Sequence, residues 1–222
     1  MSLETRKTGK LEDPGARLLD AIAGYGQRYG RIAGIVAAVI AVVGAGAFFT
    51  LRARAASEEQ AAGRLAEANI LFWQGDYPRS LQLAKQVAEQ WPRTPSGTDA
   101  HRLAGDDEFW NGQFKNAVKE YRTYLEQQKQ GLVADAVRRS LAYALESDRQ
   151  LQEAATLDES LVGRFDRESS AELLYAAARC YRLMNQVPAA SQRLQRLLDE
   201  FGETSYANRA RMELAELSSS AR

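Results

Sequence analysis

From Ile32 to Leu51 the chain reads IAGIVAAVIAVVGAGAFFTL, twenty residues without a charged side chain. As an α-helix such a stretch is about 30 Å long, the thickness of a bilayer's hydrocarbon core. Residues 32–51 are therefore expected to form a single N-terminal transmembrane helix. Arg28 and Arg31 precede the stretch and Arg52 and Arg54 follow it, while Tyr25, Tyr29, Phe48 and Phe49 stand where interfacial aromatics anchor a span. A cleaved signal peptide would carry an apolar region of about 7–15 residues after a short basic start. Here the run is longer and thirty-one residues come before it.

Local charge does not set the orientation, because Arg17, Arg28 and Arg31 on one side are matched by Arg52, Arg54 and Arg64 on the other. The whole tail, residues 1–31, carries six basic side chains, and long C-terminal domains translocate largely regardless of charge. The expected topology is a cytoplasmic tail and a periplasmic domain at a bacterial inner membrane. Gly30, Gly34 and Ala38 recur every fourth residue, as do Ala37, Ala41 and Ala45, so the span offers small-residue faces to a neighbouring helix. Asp13 and Pro14 make a helix start, with Leu18, Leu19 and Ile22 on one face. A surface-lying helix and a loosely ordered tail both fit that pattern.

Composition narrows the function classes. Twenty-nine Lys and Arg balance twenty-nine Asp and Glu across 222 residues, leaving no excess positive charge for a phosphate backbone, so no nucleic acid is expected. The one cysteine, Cys180, can close no intramolecular disulfide and lies too late to accept a lipid. The one histidine, His101, has no second imidazole for a metal site and no nucleophile partnered to it. No phosphate loop or catalytic triad is visible. The reading is non-catalytic, with no cofactor, no metal and no small-molecule substrate.

After Leu51 apolar residues recur every three or four positions and no segment alternates for long, which predicts helices throughout. Four segments align on their turns: QGDYPRSL from Gln74, NGQFKNAV from Asn111, DRQLQEAA from Asp148 and MNQVPAAS from Met184. Their starts are 37, 37 and 36 residues apart. Before each turn stands a small residue where two helices must approach, namely Ala68, Gly105, Ala142 and Ala178. After each comes another, namely Ser80, Ala117, Ala154 and Ala190, and Tyr77, Phe114, Leu151 or Val187 plugs the space between the pair.

This pattern resembles the tetratricopeptide repeat over roughly residues 61–202. Gly75 and Gly112 match the turn glycine, Leu71 and Tyr181 the large residue late in the first helix, and Pro92 the terminal proline. Arg149 and Asn185 replace the glycine in the last two units, which are degenerate. The resemblance implies an all-α solenoid of about four repeats near 61–97, 98–134, 135–170 and 171–204, with a capping helix at 205–217, the domain as a whole covering 61–222. Residues 52–60 become a helical linker. It also implies a groove lined by the first helices, carrying Asn69, Phe72, Trp73, Arg102, Asp106, Phe109, Trp110, Arg139, Tyr143, Glu146, Tyr175, Arg179 and Arg182. Within that set the repeated pairs Phe72-Trp73 and Phe109-Trp110, placed among arginines, have the composition of an interface hot spot.

The architecture, one span and then repeats, is similar to the ancillary subunit of the bacterial secretion translocon. That implies protein partners, periplasmic chaperones or emerging chains held by a transient adaptor. The alternative reading is a permanent accessory subunit of a larger inner-membrane complex, secretory, respiratory or photosynthetic, attached through the small-residue face of its span and its repeat surface. Asp106, Asp107 and Glu108 are adjacent on a helix and are expected on a solvated face rather than around a cation. Cys180, among alanines, is expected to be a buried, unreactive thiol. His101 is expected at the surface or at a helix cap.

Overall fold

The computed structural model describes residues 14–220, with side chains for 29–219. Among these residues there are nine helices and no strand: α1 (Pro14–Trp73), α2 (Tyr77–Gln90), α3 (Pro95–Trp110), α4 (Phe114–Gln127), α5 (Leu132–Ser147), α6 (Leu151–Leu161), α7 (Arg167–Leu183), α8 (Val187–Phe201) and α9 (Tyr206–Ser220). Residues 1–13 of the tail, and the side chains of Leu18, Leu19 and Ile22 on which a surface helix would rest, lie outside the described residues. The chain divides into two compact units, Met1–Ala55 and Ala56–Arg222.

In the first unit the apolar stretch is helical and bare. Its most apolar window has a mean hydropathy of 2.5 and no buried residue. Ile32, Ile35, Val42 and Phe49 are each more than half exposed. Gly30 and Gly34 have nothing within 4 Å of where a Cβ would sit, and Ala37, Ala38, Ala41 and Ala45 are exposed as well. The only local polar side chain in the run, Thr50, donates its hydroxyl to the Ala47 carbonyl at 2.8 Å, so it leaves little for water.

The second unit stacks helix pairs, with each helix packed on the next along the chain from α2 to α9. Its core is a series of linked clusters. Ala61, Leu65 and Ala68 of α1 meet Ala84, Val87 and Ala88 of α2 and Ala100, Leu103 and Ala104 of α3. Val118, Tyr121 and Tyr124 of α4 continue into Val137, Leu141 and Leu145 of α5 and Cys180 and Tyr181 of α7. Leu174, Leu194, Leu197 and Phe201 close against Ala210 of α9. Fully burying each leucine is worth roughly 1.5–3 kcal/mol. The helix crossings use the small residues of the repeat pattern: Ala68, Ala142 and Ala178 are at most 1% exposed. At Gly105 an added Cβ would stand 2.6 Å from the Tyr121 ring, so only glycine lets α3 and α4 approach this closely.

The four turns share one hydrogen-bond scheme. The N–H of Asp76, Gln113, Gln150 and Gln186 reaches back five residues to the carbonyls of Leu71, Glu108, Leu145 and Tyr181, at 2.8–3.0 Å. The preceding residue donates to a carbonyl three back in every case. This is the Schellman ending, which needs a left-handed residue. Gly75 and Gly112 supply it at φ 80° and 73°, and Arg149 and Asn185 take it at φ 64° and 58°. The turn geometry has therefore been kept where the glycine was lost. Pro78 and Pro188 sit in the first turns of α2 and α8, where a missing N–H costs no helix bond. The repeats form a tetratricopeptide-like solenoid of four pairs, with α9 as the cap.

Candidate functional site

Two surfaces are built by the first helices: a polar wall and, at the turns where those helices end, an aromatic edge. The wall is made of ion pairs. Arg102 on α3 donates from Nε and Nη2 to both oxygens of Asp99, at 2.7 and 2.9 Å, and from Nη1 to Asp106 at 3.0 Å. Asp106 also accepts from the Tyr121 hydroxyl at 2.7 Å, which ties α3 to α4. Further along, Arg139 and Tyr143 of α5 both bond Glu172 of α7. Arg179 of α7 makes a bidentate pair with Glu146 of α5, both bonds 2.6 Å. Arg182 of α7 lies 3.0 Å from Glu213 of α9.

Every arginine expected in the groove is thus already partnered by a carboxylate of its own chain. Three of these contacts, at Arg139, Arg179 and Arg182, join successive repeats. A partner carrying carboxylates would have to displace a resident acid, so the arginines serve as struts of the wall. Asn69 is similarly engaged, donating to its own helix at Leu65 O, 2.9 Å. The order of basicity follows: Arg179 is held well above its usual range, chiefly by the Glu146 bonds. Burial and the Glu172 bond push the Tyr143 hydroxyl up to about 12.

The edge is different. Trp73 is 83% exposed and Trp110 is 61% exposed. Phe72 and Phe109, their neighbours, are half-buried and pack against the core. Six rings form a continuous row across two repeats. Trp73 meets Phe72 edge-on at 5.5 Å, Phe72 meets Tyr77 at 5.5 Å, and Tyr77 stacks on Trp110 at 6.1 Å. Trp110 meets Phe109 at 6.0 Å, and Phe109 meets Phe114 at 5.5 Å. Beyond Phe114 the row opens into a surface groove of about 460 Å³ lined by Phe109, Phe114, Tyr143, Glu146, Arg149 and Leu183 among others.

Two expectations need correction. The acidic run 106–108 does not form a solvated face: Asp107 is fully buried and Glu108 is 3% exposed. The helix turns both toward α2, where Ser80 donates to Asp107 Oδ2 at 2.8 Å and Lys85 pairs with Glu108 at 2.7 Å. The other oxygen of Asp107 has no partner. His101 is neither a cap nor free at the surface; its Nδ1 lies 2.7 Å from Glu120 Oε2, joining α3 to α4.

A second buried acid, Asp158 on α6, carried no signal in the sequence reading; only its place on an otherwise apolar helix face could have shown it. It is 4% exposed. Burial pushes the Asp158 carboxyl up to about 8 and the Asp107 carboxyl up to about 7, the first reinforced by Glu146 and the second opposed by the Ser80 bond. Such acids can mark chemistry when they face a cleft. Neither of these lines the groove beside Phe114. Cys180 is buried, and its thiol is pushed up to about 12, mainly by burial. Among the described residues no three His, Cys, Asp or Glu side chains are grouped to hold a metal ion.

No family model matches the chain, and no curated protein matches it. Solved structures do share its fold. A protein of P. anserina described as a kinesin light chain with nearly identical TPR-like repeats superposes with a TM-score of 0.59 at 21% identity, over 72% of this chain and 86% of that one. A tetratricopeptide repeat protein of Parabacteroides merdae gives 0.61 at 14% identity, over 73% of this chain and 61% of that one. MamA of Desulfovibrio magneticus gives 0.55 at 15% identity, over 72% and 96%. At these identities the likeness is one of fold: the chain carries a tetratricopeptide-like repeat domain.

Proposed function

We propose that the protein is a membrane-anchored, non-catalytic scaffold whose repeats hold other proteins at a bacterial inner membrane. The bare apolar helix at residues 32–51 carries the reading. Roughly 25 cal/mol is lost for every Å² of apolar surface left in water, and no patch of this size stays uncovered in a soluble monomer. A hydrocarbon environment removes that cost. The N-terminus then lies in the cytoplasm and the repeats in the periplasm, where they act as an adaptor for secretory chaperones or emerging chains. The exposed Trp73 and Trp110 supply an apolar contact that needs no groove arginine. The chain should resist alkaline carbonate extraction from membranes, and protease added to spheroplasts should digest the repeats. Release by carbonate would overturn the anchor, and protection from protease would reverse the orientation. Trp73→Ala with Trp110→Ala should abolish capture of a periplasmic partner; unchanged capture removes the tryptophans from the binding surface.

A permanent accessory subunit of a larger inner-membrane complex is the second reading. The uncovered small-residue faces at Gly30, Gly34, Ala37, Ala38, Ala41 and Ala45 favour it, since they let a neighbouring helix come close. A stoichiometric subunit co-migrates with its complex in mild detergent, and an adaptor is lost on dilution.

A further inference from the structure

The groove at the end of the aromatic row differs from the wall beside it in how its charges are settled. Glu146 and Arg179, which both line it, neutralise each other through two 2.6 Å bonds. Arg149, which also lines it, makes no side-chain hydrogen bond or ion pair among the described residues and is exposed at its left-handed turn. Its acidic neighbour Asp148 accepts instead from the Gln150 side chain at 2.7 Å. The groove's apolar lining comes from Phe109 and Phe114, in edge contact with each other, and from Leu183, 44% exposed.

From this pairing of exposed apolar side chains with the unmatched Arg149, we propose that the groove between Phe114 and Leu183 binds a short polypeptide segment that presents an aromatic or leucine side chain flanked by carboxylates. The apolar residue enters between Phe109, Phe114 and Leu183, and a flanking carboxylate meets Arg149. The arginines of the polar wall take no part, because each keeps its own acid. The inference rests on the protein-binding reading above and assigns it a position and a partner chemistry.

The test uses the full chain in nanodiscs and three fluorescein-labelled twelve-residue peptides with identical Gly-Ser flanks. One has the core Asp-Leu-Phe-Asp-Leu, a second has Lys in place of Asp, and a third has Ser in place of Leu and Phe. Fluorescence anisotropy is read at 25 and 300 mM NaCl. The first peptide should bind at least tenfold more tightly than either other and should weaken several-fold at the higher salt. Arg149→Glu should weaken it about tenfold, and Leu183→Ser should do so without the salt dependence changing, with both variants checked for wild-type helicity by circular dichroism. Equal binding of the acidic and basic peptides, or an unaltered affinity in both variants, overturns the proposal while leaving the scaffold reading intact. Absence of binding by all three also overturns it, and the scaffold reading is then judged separately by the tryptophan capture experiment.

Discussion

Tyr77 and Trp110 belong to successive repeats, and their rings lie stacked with centroids 6.1 Å apart and planes inclined by only 14°. The contact joins the start of α2 to the end of α3, so one exposed tryptophan is also a brace between units. Such ring pairs add about 0.5–1.5 kcal/mol beyond the area they bury. Trp110→Ala should therefore destabilise the repeats by roughly 1–2 kcal/mol, whereas Trp73→Ala, at a more exposed position, should stay within about 0.5 kcal/mol. Urea unfolding of the detergent-solubilised chain, followed by circular dichroism, separates the two.

Arg149 and Asn185 hold left-handed conformations where the first two repeats have glycine. For a side chain with a Cβ this costs about 1–2 kcal/mol, less for asparagine. Arg149→Gly should stabilise the domain by roughly 0.5–1 kcal/mol, part of the gain being offset by the freer unfolded chain. Asn185→Gly should gain less, and Gly112→Val should lose at least about 1 kcal/mol. Midpoints of urea unfolding check all three; a loss of stability in Arg149→Gly would contradict the turn geometry.

Asp107 and Asp158 are held above the ordinary carboxylate range, near 7 and 8, by burial. An acid raised in the folded state keeps its proton there while the unfolded chain releases one. Stability from these groups is thus fully present below about pH 4, falls as pH rises, and levels off above about 8. Asp158→Asn should remove the upper part of that slope. Relative to wild type it should gain on the order of 1–3 kcal/mol between pH 5.5 and 8.5. Unfolding free energies of both proteins at the two pH values decide it, and parallel pH profiles would refute it.

Cys180 is buried with its thiol pushed up to about 12, so almost no thiolate exists at neutral pH. Iodoacetamide at pH 7.5 should leave it unmodified over hours in the native chain and label it within minutes in 6 M guanidinium. Mass spectrometry reads the difference.

The repeats were legible because their constraints are local. A helix crossing tolerates only a small residue, which exposes Ala68, Gly105, Ala142 and Ala178, and a Schellman turn favours glycine, which exposes Gly75 and Gly112. The degenerate turns remained readable from spacing alone. What stayed hidden was pairing between distant residues. Asp107 and Glu108 read as solvated acids, since their partners Ser80 and Lys85 stand 27 and 23 residues earlier. The groove arginines read as part of a binding surface, their acids hidden for the same reason: Arg139 and Glu172 are 33 residues apart, as are Arg179 and Glu146. A search for acids offset by about one repeat from each arginine would have found those struts.

Apart from Arg102, which pairs within α3, those struts run from one unit to the next. Arg122 reaches Glu153 and Arg193 reaches Glu159, in addition to Arg139, Arg179 and Arg182 along the polar wall. The Arg122–Glu153 pair is about half open to solvent on both sides, where dissolved ions weaken it over distances of about 8–10 Å, and the others are partly shielded. The expected consequence is a stack with a tunable stiffness, firmer in dilute medium and slightly looser in concentrated salt, while the apolar seam keeps its coils joined.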